Sequence, residues 1–413
     1  MKATRMKNSS VYITRKAALS GVLCAITCTL IIYRPVLHRT PAPKLSAFEL
    51  SLAQMITAAP DRSPGQVAGS TIDDSLQKVV TTDVYNRMIQ TSSKQALAVL
   101  MDTNTGAIKA ITSQTNPNPT ICQWYETCRR PDDNMATTAW EPGSVMKPLL
   151  VAAALNQDVI SPSSSYYEKG FTYVGGRLYI NAEGFPPQRM TIQDILNKSL
   201  NTGAIHVLRT IGGGDINQKV QDIWFDYLTT HYHFGTKTGI GLPNEAAGDV
   251  RPPRGGHNVQ TQYAGSAFGV GLTMTPLQLV AAYGAIVNGG TYYQPNLDSS
   301  KPATVVSRQV VSSAVSATML DMLHKTLVVN EPSAQRKGYV VGAKTGTAPV
   351  PGTDDAYKTT TNTGTYVGYV GKAKPQYILL IRLDEPHTND FESAPARMLW
   401  ADITNQLINQ GRL

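Results

Sequence analysis

The hydrophobic pattern divides this chain into three regions. Ala17 to Tyr33 is an apolar run of about 17 residues without a charge, at the short end of what crosses a bilayer. From about Pro41 to Ser70 the chain is rich in Pro, Ala and Ser with little periodicity, which reads as a linker or thin surface segment. From about Thr71 the pattern is that of a folded body. Gln95 to Asp102 and Ala107 to Ser113 read as two strands joined by a Thr-Asn-Thr-Gly turn. Gly338 to Ala343, Thr365 to Val370 and Gln376 to Leu383 read as three more. Ser393 to Gln410 reads as a closing helix with Met398, Leu399, Ile403 and Leu407 on one face. The middle, from Ser144 to about Gly290, is mostly helical with Gly- and Pro-rich interruptions. Strands at both ends with helices between predict an α+β layered domain whose one sheet is assembled from the two halves of the chain.

Composition changes this picture little. At 413 residues, 42% hydrophobic and 16% charged, the chain is a folded, soluble-type body and not a disordered one. Charge adds direction. Lys2, Arg5, Lys7, Arg15 and Lys16 precede the apolar run with no acidic residue among them, which places residues 1–16 as a cytoplasmic tail and 17–33 as a transmembrane anchor. The linker then spans 34–70, and an exported body spans 71–413. A cleaved signal peptide is the rival reading, but no clean small-x-small site follows at the right distance. The net charge of +8 comes partly from this basic N-terminus together with Arg34, Arg39 and Lys44, which suit anionic headgroups. No clustered basic and aromatic surface argues for nucleic acid. Cys24 and Cys28 read as small hydrophobes inside the apolar run. Cys122 and Cys128 flank a loop-like stretch, a spacing that can close as a disulfide in an oxidising setting. No His or Cys set has metal-ligand spacing, and no metal or cofactor is expected.

The candidate chemistry starts at Ser144-Val-Met-Lys147. Glu-Pro-Gly before it is a turn signal, and the apolar run Leu149 to Leu155 after it is a buried helix. Ser144 therefore sits at or just inside a helix N-terminus, with Lys147 on the same face at i+3. Pro148 agrees, because only the first helical turn tolerates a missing N–H. A desolvated Lys amine can take the proton from a serine hydroxyl, and the positive helix end favours a developing oxyanion. An isolated S-x-x-K is otherwise a helix cap followed by a surface Lys. The chain carries such a copy at Ser75-Leu-Gln-Lys78, which has no Gly turn before it and reads as ordinary helix.

Two further motifs add to the first. Ser199-Leu-Asn201 lies between two apolar helical runs, where a short loop projects a hydroxyl and a carboxamide side by side; the bland alternative is a helix cap. Lys344-Thr345-Gly346-Thr347 follows the apolar strand Tyr339 to Ala343. A strand edge with a cation, two hydroxyls and an open backbone at Gly suits a carboxylate-bearing peptide, and the Thr347 N–H can donate to an oxyanion. The other Lys-Thr-Gly, Lys237-Thr238-Gly239, lies in a Gly/Pro-punctuated loop with no strand before it and reads as structural.

S-x-x-K, S-x-N and K-T-G in this order are the set of penicillin-binding proteins and class A β-lactamases. From about Thr71 to its C-terminus the chain resembles the class B penicillin-binding proteins, monofunctional peptidoglycan transpeptidases. Phe234-Gly-x-Lys-Thr-Gly-Ile-x-Leu-Pro-x-Glu-Ala-Ala-Gly, Ala267-Phe-Gly-Val-Gly-Leu-Thr-Met-Thr-Pro-Leu-Gln-Leu and Ala285-Ile-Val-Asn-Gly-Gly match family signatures. The resemblance implies an antiparallel sheet flanked by helices plus a mainly helical subdomain. It implies Ser144 as nucleophile toward a stem peptide ending in D-Ala-D-Ala, with Lys147 as base. The N–H groups of Ser144 and Thr347 form the oxyanion hole, Ser199 passes a proton to the departing D-Ala, and Asn201 holds the donor amide. Lys344, Thr345, Gly346 and Thr347 line the site for the terminal carboxylate. β-Lactams are expected to acylate the same serine.

The family usually carries a pedestal domain between anchor and catalytic domain. Here about 40 residues separate Tyr33 from Thr71, too few for an ordinary domain. Glycan polymerisation falls to a separate glycosyltransferase partner. Replacing the acceptor amine by water gives a carboxypeptidase or β-lactamase instead, but neither Glu168 nor Glu183 has the surroundings of a deacylating base. A β-lactam sensor or scaffold is the third reading.

Overall fold

The computed structural model describes residues 47–413 apart from 59, 61–66, 119, 121–133, 254–258, 352–356 and 389–390. The apolar run 17–33 and all four cysteines lie outside the described residues. Among the described residues no helix is long and apolar enough to cross a membrane.

The chain opens with helix α1 (Ala47–Thr57) and helix α2 (Asp74–Gln90). The hairpin β1 (Gln95–Asp102) and β2 (Ile108–Thr115) comes next, and then α3 (Lys147–Asn156). Four short strands lead back into helices: β3 (Ser165–Glu168), β4 (Phe171–Val174), β5 (Arg177–Ile180) and β6 (Gln188–Thr191). The helical part continues with α4 (Ile192–Asn197), α5 (Asn201–Ile211), α6 (Gln218–Asp226), α7 (Val259–Ser266) and α8 (Pro276–Val287). Strands β7 (Tyr292–Tyr293) and β8 (Val305–Ser307), helix α9 (Ser313–Asn330), strands β9 (Val340–Pro351), β10 (Tyr357–Gly371) and β11 (Tyr377–Asp384), and helix α10 (Ala394–Asn409) complete it.

The main sheet is five-stranded and antiparallel in the order β2-β1-β11-β10-β9. β1 pairs with β11 from Gln95↔Asp384 to Asp102↔Tyr377, so the two ends of the body form one sheet, as the sequence predicts. One face packs on α2 and α10. Along α2, Leu76, Val80, Val84 and Met88 recur every fourth residue and are buried, a stripe of helical period. The opposite face carries Leu97, Val99, Ile111, Val367 and Leu380, buried in one core with the helical subdomain. At its centre is α8, every residue of which is buried. Thr275 and Gln278 form a capping box at its start, with Pro276 in the first turn. Gln278 Nε2 donates to the carbonyls of Thr236 and Ala247, which ties the Phe234–Gly248 loop to this helix. The two signature motifs meet here.

Several expectations are corrected. Ala47–Thr57, inside the stretch that reads as linker, is a helix with Leu52, Met55 and Ile56 buried in the main core. The middle is less purely helical than expected, because β3–β6 form two small two-stranded sheets. Their burial patterns lack a clean apolar alternation, so period-2 reasoning passes over them. β9 and β10 are longer than the runs Gly338–Ala343 and Thr365–Val370, since polar residues continue both strands as the sheet edge extends. In α10, Leu399, Ile403 and Leu407 are buried, but Met398 points to solvent at 48% exposure.

Candidate active site

Ser144 lies in a single 3-10 turn, Gly143–Met146, that runs directly into α3. Pro148 is in the first turn of α3, where its missing N–H leaves no partner unsatisfied. Val145 and Met146 are fully buried, which fixes the turn and leaves Ser144 half-buried at its surface. Three contacts hold the turn. Tyr283, from α8, donates its hydroxyl to the Val145 carbonyl at 2.7 Å. Gly143 N–H donates to the Gly269 carbonyl at 3.0 Å. Gly143 has φ +62°, and a Cβ there would lie 2.5 Å from the Thr347 carbonyl oxygen on β9. Gly346 offers a matching gap, because a Cβ on it would meet the Val145 side chain at 2.9 Å. The serine turn and the K-T-G strand therefore touch backbone to backbone, and the glycines permit it.

Lys147 is fully buried. Its Nζ is 2.8 Å from Ser144 Oγ, 2.9 Å from Asn201 Oδ1, and 2.5 and 3.2 Å from the carbonyl and hydroxyl oxygens of Ser199. Four oxygens surround one nitrogen, whereas an ammonium has three protons to give. A neutral amine, with two protons and one lone pair, accepts from the Ser144 hydroxyl and donates to two of the other three oxygens, of which Ser199 Oγ is the most distant and also receives Lys344. Burial, with the cationic Lys344 second, pulls the Lys147 pKa well below its ordinary value.

Lys344 is in register with Val367 and Leu380 of the main core, so its side chain enters the same face of the sheet. It is 1% exposed. Its Nζ donates to Ser199 Oγ at 2.9 Å and to the Thr345 carbonyl and hydroxyl oxygens, each at 3.0 Å. No carboxylate pairs with it among the described residues, and burial lowers its pKa to about 7.

Ser199 bridges the two amines. It sits between α4 and α5 with φ +55°, a left-handed backbone that costs a serine about 1 kcal/mol. Asn201 does not cap α5: the cap position is Leu200, with no side-chain bond. Its carboxamide instead accepts from Lys147 and donates Nδ2 to the Ile180 carbonyl at 3.3 Å. Ser144, Lys147, Ser199, Asn201, Lys344 and Thr345 thus converge through contacts of hydrogen-bond length. Gly346 and Thr347 lie against the serine turn.

The spare copies of the motifs do structural work. Ser75 Oγ bonds the helix-capping Asp73 at 2.6 Å, and Lys78 is exposed. Glu245 accepts from the N–H and hydroxyl of Thr238 and from Gly239 N–H, which closes the Lys237-Thr238-Gly239 loop on itself. Sequence reasoning missed the supports of the site: Gly269, Tyr283, and the group Tyr166, Glu168, Asn181 and Thr202 around α5. For Gly269 the signal was available, since it stands inside the Ala267-Phe-Gly-Val-Gly signature. Among the described residues no cluster of His, Cys, Asp and Glu could hold a metal ion.

The buried amines set a pH dependence. Between about pH 7 and 10.5 the unfolded chain keeps the Lys344 proton and the folded protein does not, so stability rises with pH across that window. Lys147 acts in the same direction. Above about pH 10 the slope reverses, because unfolded tyrosines ionise while Tyr232 and Tyr283, raised by burial, stay neutral. Urea midpoints should therefore be higher at pH 9 than at pH 7, and Lys344→Met should flatten that rise. A wild-type midpoint that falls over the same window contradicts the assignment of a buried, neutralised Lys344.

Comparison with known proteins places the chain in a family. Residues 96–405 match the family described as penicillin binding protein transpeptidase domain. Stage V sporulation protein D of Bacillus subtilis is 27% identical over 333 residues, covering 76% of this chain and 49% of that protein. Peptidoglycan D,D-transpeptidase FtsI of Escherichia coli is 25% identical over 330 residues, covering 78% of this chain and 52% of that one. The chain spans about half the length of these curated relatives. Penicillin-binding protein 3 of Mycobacterium tuberculosis, solved in complex with aztreonam, superposes with a TM-score of 0.70 at 25% identity, covering 83% of this chain and 79% of that one. The chain belongs to the penicillin-binding protein transpeptidase family, in keeping with the class B resemblance of its motifs.

Proposed function

We propose that the chain is a peptidoglycan D,D-transpeptidase that works through a Ser144 acyl-enzyme and is acylated by β-lactams at the same atom. The observation that carries this reading is the buried Lys147 amine 2.8 Å from Ser144 Oγ, with its pKa lowered toward that of a base. Lys147 takes the Ser144 proton as Oγ attacks the carbonyl before the terminal D-Ala. The Ser144 and Thr347 N–H groups receive the oxyanion. Ser199 touches both amines and relays a proton to the leaving D-Ala nitrogen. Lys344 and the hydroxyls of Thr345 and Thr347 receive the terminal carboxylate, and Asn201 orients the donor amide. The amine of a second stem peptide then resolves the acyl-enzyme. E. coli FtsI is named for this activity.

The apolar run 17–33 is proposed as a single-pass anchor with the catalytic body outside the cytoplasm, and a separate glycosyltransferase as the source of glycan strands. A hydrolytic reading is less well supported. Glu168, the buried acid near the site, accepts from Gly170 N–H, the Tyr166 hydroxyl and the Thr202 hydroxyl, and none of these bonds reaches Ser144 or Lys147.

The test supplies nascent lipid-linked peptidoglycan, a partner polymerase and the full chain. The expected products are cross-linked stem dimers and one free D-Ala per cross-link, both absent with Ser144→Ala. D-Ala release without dimers would assign a carboxypeptidase. A second expectation concerns Lys344. A carboxylate arriving beside it restores the ammonium, so binding of a carboxylate-bearing substrate analogue at pH 8 should take up protons. Calorimetry in buffers of different ionisation enthalpy reads this directly; a buffer-independent heat would remove Lys344 as the carboxylate site.

A further inference from the structure

The two small sheets are built against the S-x-N loop, and their inner residues form a buried polar group that the chemistry above does not use. Strand β5 ends at Ile180, whose carbonyl accepts from Asn201 Nδ2 at 3.3 Å. The next residue, Asn181, accepts through Oδ1 from the Thr202 N–H at 3.1 Å and lies 3.0 Å from its hydroxyl. Two consecutive residues at the strand end thus grip two consecutive residues at the start of α5.

Strand β3 backs the grip. Glu168 Oε2 accepts from the Thr202 hydroxyl at 2.7 Å and from the Tyr166 hydroxyl at 2.8 Å, while Oε1 accepts from Gly170 N–H at 2.6 Å. Glu168 is 1% exposed and Thr202 5%. Tyr166 stacks on His206 of α5 at 4.5 Å, and a Cβ on Gly203 would lie 2.5 Å from the Tyr166 hydroxyl. The helix start is therefore packed as well as hydrogen-bonded. Asn181 Nδ2 has no hydrogen-bond partner among the described residues, where this amide is engaged through its oxygen.

A buried polar cluster that leaves one donor unsatisfied costs stability, which points to a role other than stability for its geometry. What it holds is Asn201, one residue before Thr202, whose Oδ1 is 2.9 Å from Lys147 Nζ. We propose that Glu168 and Asn181 are positioning residues that act through Thr202: they fix the first turn of α5 so that Asn201 keeps its contact with Lys147 and its donor-amide geometry. They touch neither substrate nor the reacting atoms. The inference rests on the transpeptidase reading and adds to it a support shell that spans β3, β5 and α5.

The test uses the full chain and benzylpenicillin, with the acylation rate constant at saturating drug measured per active site titrated. Thr202→Val keeps the side-chain shape and removes the hydroxyl; it should slow acylation about tenfold, the size expected for one lost buried hydrogen bond. Thr202→Ser should return the rate to within about twofold of wild type. Asn181→Ala removes the other acceptor, should slow acylation to a similar degree, and serves if the Val variant fails to fold. Slower acylation at unchanged drug affinity, rescued by Ser, supports positioning. Wild-type rates in Thr202→Val and Asn181→Ala, with only their melting temperatures lowered, overturn it. Absence of acylation in the wild-type protein would instead overturn the transpeptidase reading itself.

Discussion

Lys147→Met is expected to lower the rate of β-lactam acylation by about a thousandfold or more while leaving the protein folded. A positioned general base contributes roughly 10²- to 10⁴-fold, and here it is also the only base in contact with Ser144 Oγ among the described residues. The fold should survive because Lys147 is completely buried and methionine fills a similar volume without a charge to desolvate. The melting temperature should match or exceed that of the wild type near pH 7. Stopped-flow labelling with a fluorescent penicillin measures the loss. Acylation within tenfold of wild type would show that Lys147 is a structural lysine and that another group takes the proton.

Gly269→Ala is expected to damage both stability and chemistry. Gly269 has φ +82°, and a Cβ there would lie 2.1 Å from the Gly143 carbonyl oxygen and 2.6 Å from its nitrogen. These are backbone atoms and cannot rotate away. Relief requires the Gly143–Met146 turn to move, and that turn carries Ser144. A destabilisation above about 3 kcal/mol follows from the combined clash and backbone strain. Protein that does fold should acylate at least about a hundredfold more slowly, since a shift near 1 Å is enough to break nucleophile alignment. Urea denaturation and penicillin labelling of the folded fraction read the two effects separately. Near-normal values in both would mean that the turn is far more pliable than its packing implies.

Much of the site is legible in the chain because its chemistry is concentrated in three short motifs with distinct local context. Ser144 stands out from Ser75 by the Gly turn before it and the apolar helix after it, and the structure shows Ser75 serving a helix cap. The K-T-G at Lys344 stands out from that at Lys237 by the strand before it, and the second loop is closed by Glu245 instead. The five-stranded sheet is legible because its central strands are long apolar runs. What is not legible depends on contacts distant in sequence. Gly269 stands inside a signature motif, but what it and Tyr283 hold appears only when α8 and the loop before it fold against residues 143–145. The small strands β3–β6 lack a periodic apolar face, and Glu168 and Asn181 look like surface polar residues until Thr202 is brought between them. Local pattern identifies the reacting groups, whereas the residues that aim them depend on tertiary packing.

The most direct test of the central claim is mass spectrometry of the full chain after exposure to benzylpenicillin, followed by peptide mapping. The account predicts one covalent penicilloyl adduct per chain, located on Ser144, decaying slowly because among the described residues no carboxylate is hydrogen-bonded to Ser144 Oγ. No adduct, or an adduct on any other residue, would contradict it.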